Sequence, residues 1–144
     1  MIIAPGDGSS PSERRDATFT GEVWATPVVS APGQAMINSI FFAPGARTFW
    51  HRHEGGQMLI GYAGAGLVVT RDAVAGIGEG AVVHAFAGEE HWHGALPDSF
   101  MSHQSIVLGG STEWLEEVSD QEYLAAIARL TATRPGERRP APAA

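Results

Sequence analysis

The stretch HRHEGGQ, His51 to Gln57, sets two imidazoles one residue apart and follows them with a glycine pair and an amide. In an extended strand, side chains at i and i+2 share a face, so His51 and His53 can present two ring nitrogens to one point. Taken alone, that spacing serves equally well as a half-exposed polar strand face. The surroundings add to it. Gly55-Gly56 lets the chain bend so that the side-chain carbonyl of Gln57, at the head of a following strand, returns to the same point. Downstream, GEEHWH brings a third imidazole, His91, to another turn-strand junction. Three imidazoles and one amide oxygen make a nitrogen/oxygen donor set that suits Mn, Fe, Co, Ni or Zn. A neutral amide in place of a carboxylate leaves the charge of a bound dication uncompensated by the protein, which favours Lewis-acid chemistry. The alternative is that Gln57 only packs beside a metal held by three histidines.

His93 stands two residues after His91 and faces the same side. Beside a dication its protonated form is disfavoured, so it is a candidate general base, and His103 in MSHQSIV is a candidate to hold or relay that proton. The bland reading of both is polar residues at a barrel mouth. His84 has no ligand spacing to the others and reads as structural. Arg47 and Arg52 are candidates to bind a carboxylate at the cavity mouth, although Arg52, between the two histidines, should point outward. Trp92 alternates away from the two histidines that flank it and is expected in packing or an oligomer contact.

These residues need rigid elements to hold them. From Phe19 to Leu108 short β-branched and aromatic runs are punctuated by Gly and Pro roughly every eight to twelve residues, the rhythm of a β-sandwich or barrel. Eighteen glycines suit many tight reversals. Phe41, Phe42, Phe49, Trp50, Met58, Leu59, Ile60, Phe86 and Ile106 are expected in the core. After Gly110 the character changes. Ser119 and Asp120 can cap a helix in which Tyr123, Leu124, Ile127 and Leu130 recur at helical spacing. The expected organisation is an N-terminal flexible arm over 1–17, one β-domain with its helix over 18–132, and a Pro- and Ala-rich disordered tail over 133–144.

Composition removes several function classes. The 144-residue chain has no lysine and no cysteine, which excludes a Schiff-base amine, a P-loop lysine, thiol nucleophiles and thiolate metal sites. Its net charge is −7, and its arginines gather towards the two ends, so neither nucleic acid nor a membrane is an expected partner. No G-x-S-x-G or Gly-rich phosphate loop occurs. The start of the chain has no secretory pattern, and a cytoplasmic location is expected.

The run Gly45-x5-His51-x-His53-x3-Gln57-x6-Gly64 resembles the first cupin motif, with Gln for the usual Glu. Gly80-x5-Phe86-x-Gly88-x2-His91-x3-Ala95 resembles the second, with Phe where Pro is common and Ala where Asn is common. The fifteen residues between the motifs are the short spacing of single-domain microbial cupins. FTGEV, APGARTFWHRH, GEEHWHGALPDSFMSH and WLEEVSDQEY extend the likeness, over about residues 19 to 124, to small bacterial cupins that include manganese-dependent hydroxynitrile lyases and carboxymuconolactone-decarboxylase-associated proteins. This resemblance implies an all-β jelly-roll barrel with one C-terminal helix, homodimeric or homotetrameric. It also implies one divalent metal per chain, Mn first and Fe, Zn, Ni or Co after it, on His51, His53, Gln57 and His91. In the related lyases the histidines at the His93 and His103 positions line the active site. Those lyases have a glutamine where this chain has Val107, and Gln104 on a regular strand points away from His103.

The expected activity is therefore a metal-dependent lyase acting on a small, fairly hydrophobic, oxygen-containing substrate, with hydroxynitrile cleavage as its concrete form. An iron-dependent dioxygenase on the same ligands and a non-enzymatic small-molecule binder are the competing readings. The substrate is expected to meet Ile40, Phe42, Thr48, Met58 and Val107.

Overall fold

A computed structural model describes residues 1–133 apart from Asp7 and Pro32. Thirteen strands and one helix follow one another: β1 (Glu13–Arg15), β2 (Phe19–Thr20), β3 (Val23–Val29), β4 (Met36–Phe42), β5 (Arg47–Thr48), β6 (His51–His53), β7 (Gln57–Gly64), β8 (Gly66–Thr70), β9 (Val74–Ile77), β10 (Val82–Ala85), β11 (His91–Ala95), β12 (Met101–Val107), β13 (Thr112–Trp114) and α1 (Asp120–Ala132). They form two antiparallel sheets that curl into a jelly-roll barrel. One has the order β1-β3-β4-β12-β7-β10; the other runs β13-β6-β11-β5-β2, with β8 paired to β11 and β9 to β8. The all-β expectation with one closing helix holds. Within the segment read as an arm, Glu13–Arg15 pairs with β3 at the sheet edge, and Arg15 lies opposite Val23. Most of the segment read as a tail, 134–144, lies outside the described residues. No helix among the described residues is long and apolar enough to cross a membrane.

Strand alternation divides the apolar residues between two cores. Val23, Ala25, Ile40, Phe42, Leu59, Val68, Ile77 and Met101 form one core inside the barrel, and Phe42 reaches from it to the rings of His93 and His103. Trp50, Leu67, Val69 and Trp92 face outward from the second sheet and meet Val118, Tyr123, Ala126 and Leu130 of the helical segment. Trp92 is fully buried there against the Tyr123 ring, which settles its role as packing; truncating a buried aromatic of this kind costs about 3–5 kcal/mol. The helix begins where the sequence places it: the Ser119 hydroxyl accepts from the Glu122 N–H at 3.1 Å. Tyr123, Ala126 and Leu130 are its buried face, and Leu124 is exposed.

Phe41 and Met58 depart from the sequence expectation by strand phase, and Phe86 because it lies just past the end of β10. Phe41 and Phe86 are exposed, and Phe41 stacks on Phe100 outside the barrel. Met58 alternates outward between buried Gln57 and buried Leu59, so it joins neither the core nor the cavity. Arg47 is not a carboxylate binder at the mouth. Its guanidinium is buried, donates to the Val118 carbonyl at 2.9 and 3.1 Å, pairs with Asp120 at 2.7 Å and lies over the Tyr123 ring. It clamps the start of α1 to the barrel. Arg52 points outward, as expected, to Glu113 and Glu90.

Candidate metal centre

The two motifs meet because β6 and β11 are neighbours in one sheet, with His51 opposite His91 in register. His51, His53, His91 and His93 therefore face the barrel interior while Arg52 and Trp92 face away. Gln57 enters from the other sheet, carried there by a turn that only glycine permits. Gly56 has φ +86°, and a Cβ on Gly55 would stand 2.5 Å from the Leu108 carbonyl oxygen. The second motif is pinned to the first by Gly88 N–H donating to the His53 carbonyl at 2.8 Å.

Three imidazoles have their Nδ1 occupied. His51 Nδ1 lies 2.9 Å from the Phe49 carbonyl, His91 Nδ1 2.9 Å from the Glu89 carbonyl and His53 Nδ1 2.9 Å from Thr112 Oγ1. A carbonyl only accepts, so Nδ1 of His51 and His91 carries the proton and Nε2 presents a lone pair. Such outer partners fix ring orientation in metal sites. The amide of Gln57 donates from Nε2 to Ser105 Oγ at 2.8 Å and sets its Oε1 2.9 Å from His91 Nε2. Two acceptors thus face each other, a contact that a cation between them relieves. Buried His53 Nε2 has no hydrogen-bond partner. Nitrogens of His51, His91 and His93 all lie within 4.8 Å of one another, a group that takes in His93, expected as the base, and not the expected ligand His53. This histidine group could hold a metal ion.

Burial lowers the pKa of every one of these rings and so favours its neutral form. It is the largest cause of the lowered pKa at His51, reinforced by His91 and His53; at His53, lowered to about 4; and at His91. His93 is pushed well below 6.5 by burial and then by His103 and the other histidines, and burial brings His103 to about 4. His93 Nδ1 and His103 Nε2 are 3.2 Å apart, and His93 Nε2 has no partner among the described residues. His84 lies apart, exposed on β10 beside Phe86, and belongs to no metal-ligating group among the described residues.

A cavity of about 390 Å³ opens onto His51, His53, Gln57 and His93. Its walls include Ile40, Phe42, Thr48 and Val107, as the sequence suggests, but not Met58. His103 and His91 do not line it; His103 is fully buried behind His93. Residues 14–19 cross between the sheets along the cavity. Sequence reasoning missed Thr112, Ser105 and Asn38. For Ser105 a signal existed, since it stands two residues after His103 on one strand face; Thr112 sits on a short strand after a glycine turn and carries no motif.

No protein-family model matches the chain. It is 43% identical over 111 residues to a protein named (R)-mandelonitrile lyase from Granulicella tundricola, spanning 73% of this chain and 85% of that relative. A cupin-like protein from Thermotoga maritima is 36% identical, with TM-score 0.75 over 83% of this chain and 92% of that one. A cupin 2 conserved barrel protein from Rhodopseudomonas palustris shares the fold at 14% identity, TM-score 0.66, over 92% and 93% of the two chains. With both motifs assembled on one jelly roll, and with relatives this similar over most of their length, the chain belongs to the single-domain cupins and is similar to a hydroxynitrile lyase among them.

Proposed function

We propose that this cupin is a divalent-metal-dependent lyase that cleaves and forms small α-hydroxynitriles, with the metal on His51, His53, Gln57 and His91. The observation that carries the reading is the division among the buried histidines. Three have Nδ1 anchored and Nε2 turned inward, while a fourth, His93, lines the cavity with a free Nε2 and a histidine behind it. The name of the 43% identical relative supports the reaction class. Manganese is the ion proposed first on the resemblance to manganese-dependent hydroxynitrile lyases; the imidazole and amide donors themselves suit Fe, Co, Ni or Zn as well.

When bound, the metal supplies a Lewis acid that polarises the substrate oxygen. The chain's own residues move the proton. Neutral His93 accepts the hydroxyl proton at Nε2, and His103 Nε2 accepts a hydrogen bond from His93 Nδ1–H, holding the ring and supporting its charge. The carbon-nitrile bond breaks, its electron pair leaves with cyanide, and the oxygen becomes a carbonyl. His93 then returns the proton to cyanide, giving hydrogen cyanide and an aldehyde. Phe42, which packs against both rings, and Ile40 keep this exchange away from bulk water.

The test is cyanide release from mandelonitrile by protein loaded in turn with Mn, Fe, Co, Ni and Zn, beside metal analysis of the purified chain. Release that depends on the metal supports the proposal. No release with any of the five overturns it, and oxygen uptake with iron alone would favour the dioxygenase reading.

A further inference from the structure

The β4 wall of the cavity is apolar except at one place. The inward residues of β4 are Met36, Asn38, Ile40 and Phe42, and all four line the cavity. Asn38 is half-buried, and its side-chain amide makes no hydrogen bond with any described residue. Directly beside it in the β4–β12 register is Ser105. Side chains paired in this way stand about 5 Å apart on one face. Ser105 is buried and also lines the cavity; its oxygen accepts from Gln57 Nε2, and its own O–H has no acceptor among the described residues. The backbone of β4 is paired on both sides, with β3 and β12, so the amide is not needed to complete the sheet.

Two unused donors, Asn38 Nδ2–H and Ser105 Oγ–H, therefore stand side by side on the β4–β12 face of the pocket, beside Ala25, Met36, Ile40 and Val107, while Arg14, Arg15, Asp16 and Thr18 of the crossing segment line it elsewhere. Pockets of this kind orient a ligand through a few placed polar groups. The position is also informative. Gln57 bridges the two ends, with Nε2 on Ser105 and Oε1 against His91, so the donors begin one amide away from the histidine nitrogens.

We infer that Asn38 and Ser105 form a subsite for a hydrogen-bond acceptor of the substrate. The substrate then carries a carbonyl, carboxylate or nitrile on or next to the carbon whose oxygen is turned towards the histidines. Asn38 is its specificity-determining residue. The inference deepens the proposed function and rests on it only for where the substrate oxygen lies.

Calorimetric titration of the manganese-loaded protein tests this with benzyl alcohol, which has one oxygen, and with mandelamide, mandelate and O-methylmandelonitrile, which add the three acceptor types. At least one of the latter should bind roughly ten-fold tighter than benzyl alcohol, the usual worth of a well-placed hydrogen bond; which one does so identifies the acceptor. Asn38→Ala should erase that advantage and leave benzyl alcohol within about two-fold. Asn38→Asp, the same shape without the donor, should erase it too and guards against a folding artefact. No advantage for any acceptor probe in the wild type, or an advantage that survives both variants, overturns the inference. An advantage that is erased by Asn38→Ala and is equally large in metal-free protein upholds the subsite while counting against the metal reading.

Discussion

Two sets of buried histidines share the barrel, and their outer nitrogens separate them. His51, His53 and His91 lean on acceptors outside the set, two of them the backbone carbonyls of Phe49 and Glu89, each two residues before the ring it holds. His93 and His103 lean on each other at 3.2 Å. An anchored ring has its tautomer chosen for it, which is what a metal ligand needs. A ring bonded to another ring can exchange the proton between its nitrogens, which is what a base needs. The comparison teaches that spacing places imidazoles on a face, whereas the partner of the far nitrogen assigns the work.

The largest effects should come from removing one ring of each set. His91→Ala is expected to lose the metal and with it all activity, while His93→Ala keeps the metal and loses about 10²- to 10⁴-fold in kcat, the range for a general base. Metal analysis and kinetics on the same preparations separate these. Metal lost from His93→Ala would break the division and move His93 into the ligand set, as its nitrogen's place within 4.8 Å of those of His51 and His91 permits. His103→Ala touches the substrate only through His93. It should lower kcat by about 10- to 100-fold and shift the acid limb of the kcat profile, with KM little changed.

Both sets share a pH signature in the metal-free protein. A buried histidine that stays neutral binds fewer protons when folded than when unfolded, so stability falls with pH wherever the unfolded chain protonates first. The stabilising difference is full above pH 6.5 and is lost as pH falls from 6.5 towards the folded values of about 4 at His53 and His103. At about 1.4 kcal/mol for each tenfold change in proton affinity, His103 alone accounts for about 3 kcal/mol. Denaturant melts from pH 7 to 4 should show this decline, and His103→Gln should flatten part of it. A flat curve in the wild type would mean that water reaches these rings.

Much of this was legible in the sequence because it depends on period and turn chemistry. HxH, the glycine pair and HWH specify face and bend, and Ser119 with the helical period specifies α1. Phe41 and Met58 were misplaced because hydrophobicity does not reveal strand phase where both barrel surfaces carry apolar side chains, and Phe86 because hydrophobicity does not reveal where β10 ends. Arg47 was misread for a different reason: its partners, Val118 and Asp120, are more than seventy residues away, and no local pattern announces a long-range clamp. Thr112 and Asn38 likewise act through strand pairings that only the register reveals.

The smallest effect sharpens the comparison most. Thr112 is the one side-chain anchor among the three, opposite His53 in the β13–β6 register, with Oγ1 2.9 Å from Nδ1. Thr112→Val keeps the shape and removes the acceptor. If anchoring assigns the ligands, His53 loses its fixed tautomer and metal affinity should fall about 10-fold, the low end for an outer-partner deletion, because a hydroxyl is a weaker anchor than a carboxylate and Thr112 is only half-buried. Chelator competition against the wild type measures it. The His93–His103 pair is untouched, so the kcat of fully metal-loaded Thr112→Val should match the wild type. A fall in kcat at full loading would show that the two sets are one coupled network, and an unchanged affinity would remove His53 from the ligands and leave the His51, His91 and His93 nitrogens as the site.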